Sequence, residues 1–499
     1  MKKLVVTTVI LAAVMLLPGN VSAQYRDKAA EDAPKTKTDL LLEEAGKAQQ
    51  PVVITLEQAL EIALSENVSV KVADLEIKRT EYAKKGTYAA LFPQIDLSAA
   101  YQRTIKKQVM YMDFDMSSIM PSIPGSGSGE GSEETPGAGS SSGSSSSSND
   151  GMEVGRLNTL NGGVTAALPI INAQLWKGIK LSGLDVELAV EKARASRLDM
   201  VIQVKNAFFG ILFAKEALNV YEQVYDNAVK NYDETKKKYD AQKVSEFELI
   251  RAKTTVANAI PNVYNAESSV VLALWQLKAV LGVDLDLNLD VAGKLEDWSE
   301  QMFYDIHQHD SVSLDRNSTM KQLAIQTEVL AENIKMQKYA CIPSLALAFN
   351  FSMNTMANDV SFSEFRWTPY SYVGLSLNIP IFAGGKRYQA IRQAKNQYQQ
   401  MQLQVDNTER QLKIAIRQSL TTMETNMKSY YAAQDAVAAA QKAYDIAEAA
   451  YKVGRSTLIE LNDAQLALTQ SQLAQSQTVY NFIVAKAQLE QTIGQDFIN

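Results

Sequence analysis

The 499-residue chain has one cysteine, Cys341, so no disulfide can form within it. A chain of this size without such staples depends on packing or on assembly. Two histidines and four tryptophans leave little material for a metal-rich or aromatic-rich centre. The run His307-Gln308-His309-Asp310 brings no further ligand within reach by sequence and reads as a polar surface patch, so no metal site is expected. Net charge is −7 with both signs interspersed, which argues against a nucleic-acid partner. After the first residues no apolar run reaches about 18, so no transmembrane helix is expected. Residues 383–386 (AGGK) lack phosphate-loop spacing, and no cofactor is expected. No cleft-forming pattern surrounds the acidic pair Glu460 and Asp463, which excludes a catalytic reading of them and leaves no enzyme to propose.

What is present begins with an export signal. Lys2 and Lys3 precede an apolar stretch and the small-residue site Val21-Ser22-Ala23, so residues 1–23 read as a signal peptide cleaved before Gln24. Residues 24–54 form an N-terminal extension. No cysteine follows the cleavage site, so no lipid anchor is expected there.

The rest of the chain is written twice. Residues 88–93 (YAALFP) are echoed at 339–343 (YACIP), and Leu168-Pro169-Ile170 at Ile379-Pro380-Ile381. Residues 239–252 (YDAQKVSEFELIRA) align without a gap to 451–464 (YKVGRSTLIELNDA), and Leu281-Gly282 returns as Ile493-Gly494. The landmarks keep their order, which marks a duplication. The first repeat spans 55–282, the second 319–499, and 283–318 connects them. Each reads helix, strand, loop, strand, long helix, turn, helix. The first repeat holds a β-hairpin at 93–171 and a helical hairpin at 172–281. The second holds a β-hairpin at 343–381 and a helical hairpin at 383–494.

Helical spacing predicts one helix from the capping box at Thr55-Leu56-Glu57-Gln58 to about Ala90, ending before Pro93. Residues 172–238 contain no proline, and at 1.5 Å per residue predict roughly 100 Å of helix. Pro261 predicts a kink in the returning helix. The strand candidates alternate cleanly. Leu345, Leu347, Phe349 and Phe351 face one way, while Ala346, Ala348, Asn350 and Ser352 face the other. Val373, Leu375 and Leu377 repeat this against Gly374 and Ser376, as do Ile95 and Leu97 against Asp96 and Ser98. Residues 163–170 show it more weakly. Such strands could half-bury in a soluble sheet. Behind a signal peptide, with a small uncharged polar face and with Tyr101, Trp367, Tyr370 and Tyr372 near strand ends, they read as transmembrane β-strands. Four strands cannot close a barrel, for which about eight is the minimum, so an oligomer is required. Residues 104–160 read as a flexible loop around the Gly/Ser run 122–151, at an outward-facing hairpin tip.

The last helix carries two seams, one through Ile459, Asn462, Leu466 and Thr469, the other through Leu461, Ala464 and Leu468. Two seams imply helical neighbours on both sides, which suits a curved wall. Glu460 and Asp463 fall between the seams on an open face, with Glu248 and Arg251 at the matching places in the first repeat.

The doubled plan, the Leu/Ile-Pro-Ile strand exits, the 451–464 motif and the terminal Ile-Gly resemble the TolC family of outer-membrane efflux proteins, from about Thr55 to Asp496. The resemblance implies a fold mainly α with transmembrane β. It further implies a homotrimer with a twelve-stranded β-barrel in outer-membrane lipid, continuous with a twelve-helix α-barrel across the periplasm. It also implies a passive export conduit that works with a periplasmic adaptor (membrane fusion) protein and an inner-membrane pump. On this resemblance Glu460, Asp463 and Glu248 form an acidic ring at the periplasmic aperture, and Tyr451 belongs to the lock that shuts it. The basic residue of that lock stands at Arg455, one place early, with Ser456 at the matching site. Whether Arg455 or Arg251, facing Asp463, supplies the cation is left open. Val453, Gly454, Ala241 and Gln242 match the adaptor-contacting tips. Small-molecule efflux is the expected role. Type I protein secretion uses the same architecture, and a trimeric coiled-coil adhesin is the reading from another class, disfavoured by the two seams and the acidic tip.

Overall fold

The computed structural model describes residues 51–110, 152–299, 313–358 and 366–495. The signal peptide, the Gly/Ser run and the 307–310 cluster lie outside the described residues. In chain order the elements are β1 (Val52–Ile54), α1 (Leu56–Glu66), α2 (Val68–Ala89), β2 (Gln94–Arg103), β3 (Gln108–Met110) and β4 (Met152–Val154). There follow β5 (Asn158–Ile171), α3 (Ala173–Asp240), α4 (Glu246–Leu281), β6 (Leu289–Val291) and a short 3-10 turn at Leu295–Trp298. The second repeat supplies α5 (Ser318–Tyr339), β7 (Ser344–Ala357), β8 (Thr368–Asn378), α6 (Lys386–Lys452) and α7 (Leu458–Ile493). The chain divides into two compact units. One holds the described residues within 1–82, 183–330 and 396–499, the other those within 83–182 and 331–395.

The second unit is built on an antiparallel sheet of order β2-β5-β7-β8. Its register places Ile95, Ala166, Phe349 and Val373 in one row, with Leu168, Leu347 and Leu375 on the same face. The opposite face carries rows such as Asp96, Thr165, Asn350 and Tyr372. The apolar face is bare: Leu97, Val373 and Leu375 are each 68 % exposed. A strand of a soluble sheet would bury that face against a layer, and here it is left to the surroundings. β2 and β8 each pair on one side only.

The first unit has the larger core. Phe208, Phe209, Ile211 and Leu212 of α3 pack there with Leu277 and Leu281 of α4 and with Phe482 and Leu489 of α7. β1 pairs in parallel with β6, joining the segment ahead of the first repeat to the connector. That pairing was not legible in three-residue strands.

The structure corrects two sequence expectations. The helix expected from 55 to 90 is two helices, broken at Asn67, whose backbone turns extended (φ −63°, ψ 132°). Its Nδ2 donates to the Val280 carbonyl at 2.7 Å and its Oδ1 accepts from the Ser69 amide, so a tertiary contact and a new N-cap offset the lost helical bonds. The flexible loop expected over 104–160 is too wide. β3 pairs with β4 inside it, and β5 begins at Asn158, where side-chain amide contacts extend the ladder past the weakly alternating 163–170. The long helices stand as expected, and α4 continues through Pro261.

Candidate functional site at the helical tips

Both helical hairpins turn by the same chemistry. At the end of α6, Gly454 adopts φ +75°, the Arg455 amide donates to the Ala450 carbonyl and the Gly454 amide to Tyr451. At the end of α3, Gln242 adopts φ +56°, Lys243 donates to Lys238 and Gln242 to Tyr239. These are paired Schellman bonds satisfying the last helix carbonyls, and a left-handed residue is what makes them possible. Gln242 is the one non-glycine residue with positive φ among the described residues. The next helices start on Ser245 and Thr457, whose hydroxyls accept the amides of Glu248 and Glu460 at 3.3 Å.

The Glu460 carboxylate completes a capping box, accepting the Thr457 amide at 3.0 Å and the Ser456 hydroxyl. The Ser456 hydrogen bond, and then that of the Thr457 backbone, hold its carboxyl below the usual range, so it stays ionised at neutral pH. Asp463 is exposed one turn later, while Glu248 is half-buried. Val453, Gly454, Arg455, Ala241 and Gln242 are all exposed.

A small core sits beneath the turns. Ala252, Tyr444, Tyr451, Leu458, Leu461 and Leu468 are buried together, with Tyr232 against them. Burial first, then the charges of Glu448 and Asp445, push the Tyr444 hydroxyl up to about 12. Tyr451 is 3 % exposed, and its hydroxyl meets that of Thr235 on α3 at 2.5 Å. The Lys238 ammonium lies 4.0 Å from the Tyr451 ring centroid and donates to the Tyr451 carbonyl. Burial raises the Tyr451 pKa, the Thr235 hydrogen bond opposes it, and Glu248 and Glu234 raise it further.

Of the residues the sequence singled out, the fold thus brings Tyr451 and Glu248 into one electrostatic neighbourhood. It does not bring Arg251 to Asp463 within a chain. Among the described residues neither of these side chains, nor that of Arg455, has a hydrogen bond or ion pair with its own chain. Lys238 and Thr235 escaped notice because a Lys-rich helix end reads as a solvated face. The signal was there in Lys238 standing directly before Tyr239, the partner of Tyr451 in the duplication. No group of three or more metal-ligating side chains occurs among the described residues. No described helix is long and apolar enough to cross a membrane.

The fold is that of solved bacterial outer-membrane channels. The crystal structure of the Campylobacter jejuni CmeC outer membrane channel matches with a TM-score of 0.64 over 90 % of this chain and 91 % of that one, at 16 % identity. Outer membrane protein TolC of Vibrio cholerae is 20 % identical over 343 residues, 67 % of this chain and 76 % of the relative. Outer membrane efflux protein BepC of Brucella suis is 30 % identical over 163 residues, 32 % of this chain and 35 % of its own length. The sequence profile of the outer membrane efflux proteins matches residues 137–283 and 311–495, and the chain belongs to that family, the TolC family.

Proposed function

We propose that three copies of the chain pool their sheets into one twelve-stranded barrel in the outer membrane, continuous with a periplasmic tunnel of twelve helices. The observation that carries this is the sheet itself. Its apolar face is bare and its two outer strands each keep one unpaired edge. In lipid, unpaired backbone groups cost several kcal/mol each, and only closure removes them. The helical seams agree in kind. Leu461 and Leu468 are buried in the chain's own tip core, while Ile459 and Leu466 of the other seam are 45 % and 56 % exposed, as a neighbouring copy would require.

The tunnel is a passive conduit for efflux of small molecules, a role in keeping with the efflux proteins it resembles. Its tips meet a periplasmic adaptor served by an inner-membrane pump. Glu460, Asp463 and Glu248 from each copy line the narrow mouth, where crowded carboxylates favour cations. Detergent-solubilised protein should have three times the chain mass, and Leu466→Glu should shift it to single chains. A monomeric wild type would defeat this reading.

A further inference from the structure

The duplication builds one tip twice but grips only one of its two tyrosines. Tyr451 is 3 % exposed, whereas its counterpart Tyr239 is 37 % exposed. Around Tyr451 the first hairpin supplies the Thr235 hydroxyl, the Lys238 ammonium on the ring face, and a hydrogen bond from that ammonium to the Tyr451 carbonyl. Extending the ungapped alignment back by four residues, the residues at those two places in the second hairpin are Ala447 and Ala450. Alanine has no hydroxyl or charge to return. Accordingly the Tyr239 side chain has neither a hydrogen bond nor a cation on its ring among the described residues. The grip runs one way, from α3 onto the end of α6.

The chemistry explains why a lysine suits this place. α3 ends at Asp240 and α6 at Lys452. Residues 238 and 451, each within the last turn of its helix, are in contact, so two helix C-termini stand side by side. Each carries the partial negative charge of a helix C-terminus, and the two ends repel. One ammonium between them offsets both. It also gives the Tyr451 carbonyl a second donor beside the Gly454 amide and meets the negative face of the Tyr451 ring.

We propose that Lys238 is a positioning residue that clamps the tip of the second hairpin onto the first, and that this clamp sets how readily the aperture opens. The inference rests on the gated-channel reading above and adds to it the residue that does the holding. Opening then means withdrawing Tyr451 from Lys238 and Thr235, with the second hairpin moving against the first. Neither Arg251 nor Arg455 has an equivalent hold within the chain.

The test uses Lys238→Met, which keeps the aliphatic stem and removes charge and donors, and Lys238→Arg, which restores a cation. In planar bilayers, Lys238→Met should raise the open fraction by roughly tenfold, the worth of one charge-assisted hydrogen bond. Lys238→Arg should fall back toward wild type, and the melting temperatures should match. Spin labels at Ala241→Cys and Val453→Cys, in a Cys341→Ser background, supply a second readout. The distance between tips should be narrow in the wild type and broad or long with Lys238→Met. Discrete wild-type channels with an unchanged open fraction and an unchanged distance distribution in Lys238→Met would overturn the clamp and leave the channel standing. A changed distance distribution without any channel activity would leave the clamp and remove the gating role assigned to it.

Discussion

Glu332 shows most clearly how a single side chain is set by residues far away in sequence. It is 2 % exposed, and the ammoniums of Lys177, Lys180 and Lys335 each lie 2.9 Å from its carboxylate. Hydrogen bonds from Lys180 and Lys335, with a smaller one from Lys177, outweigh burial and hold its pKa at about 2 against an ordinary 4.5. A depressed folded pKa contributes stability above the unfolded value, which is lost as pH falls through the folded one. Glu332→Gln should therefore cost about 1–3 kcal/mol at neutral pH, less than a fully buried pair because the lysines can rehydrate. Denaturant melts of the two proteins should converge between pH 4.5 and 2. No local pattern announces this cluster, since Lys177 and Lys180 stand 155 and 152 residues from Glu332. Glu460 is the opposite case. Its capping box is written in Thr457-Leu458-Ile459-Glu460, so its place at a helix start was legible, while its outward charge waits on other copies for a role.

Among the elements, the helix ends carry the duplication most faithfully. Gly282 and Gly494 both end helices at positive φ, 77° and 75°. Asn67 donates to the carbonyl two residues before the first, and Asn317 to the carbonyl two residues before the second, at 2.7 and 2.6 Å. The glycines were readable as repeat landmarks, but the asparagines that lock onto them were not, because the contact exists only once the helices have met. Two substitutions separate backbone strain from packing. Gly454→Ala meets nothing within 4 Å and should cost about 1 kcal/mol, from the left-handed backbone alone. Gly494→Ala adds a Cβ driven into the Arg316 carbonyl, whose neighbours must move, and should cost about 3 kcal/mol. Melting both in the same detergent checks the order, and equal losses would mean that the joint yields freely.

On the trimer proposed above, a single chain is only one part of the working molecule. The sheet alternation and the two helical seams point that way in the sequence, because each presents an apolar surface that the chain itself leaves exposed. The β5–β7 register and the grip on Tyr451 did not show, since both depend on pairings between residues more than a hundred positions apart. In the proposed assembly the bare sheet and the acidic tips are parts of one membrane channel. Single-channel recording in planar bilayers tests it most directly, comparing wild type with Glu460→Gln/Asp463→Asn, in which glutamine preserves the capping box while the charge is lost. Discrete, cation-preferring openings are expected in the wild type, with a clear loss of cation preference in the double variant. Folded protein that inserts yet gives no discrete openings, or identical selectivity in both, would contradict it.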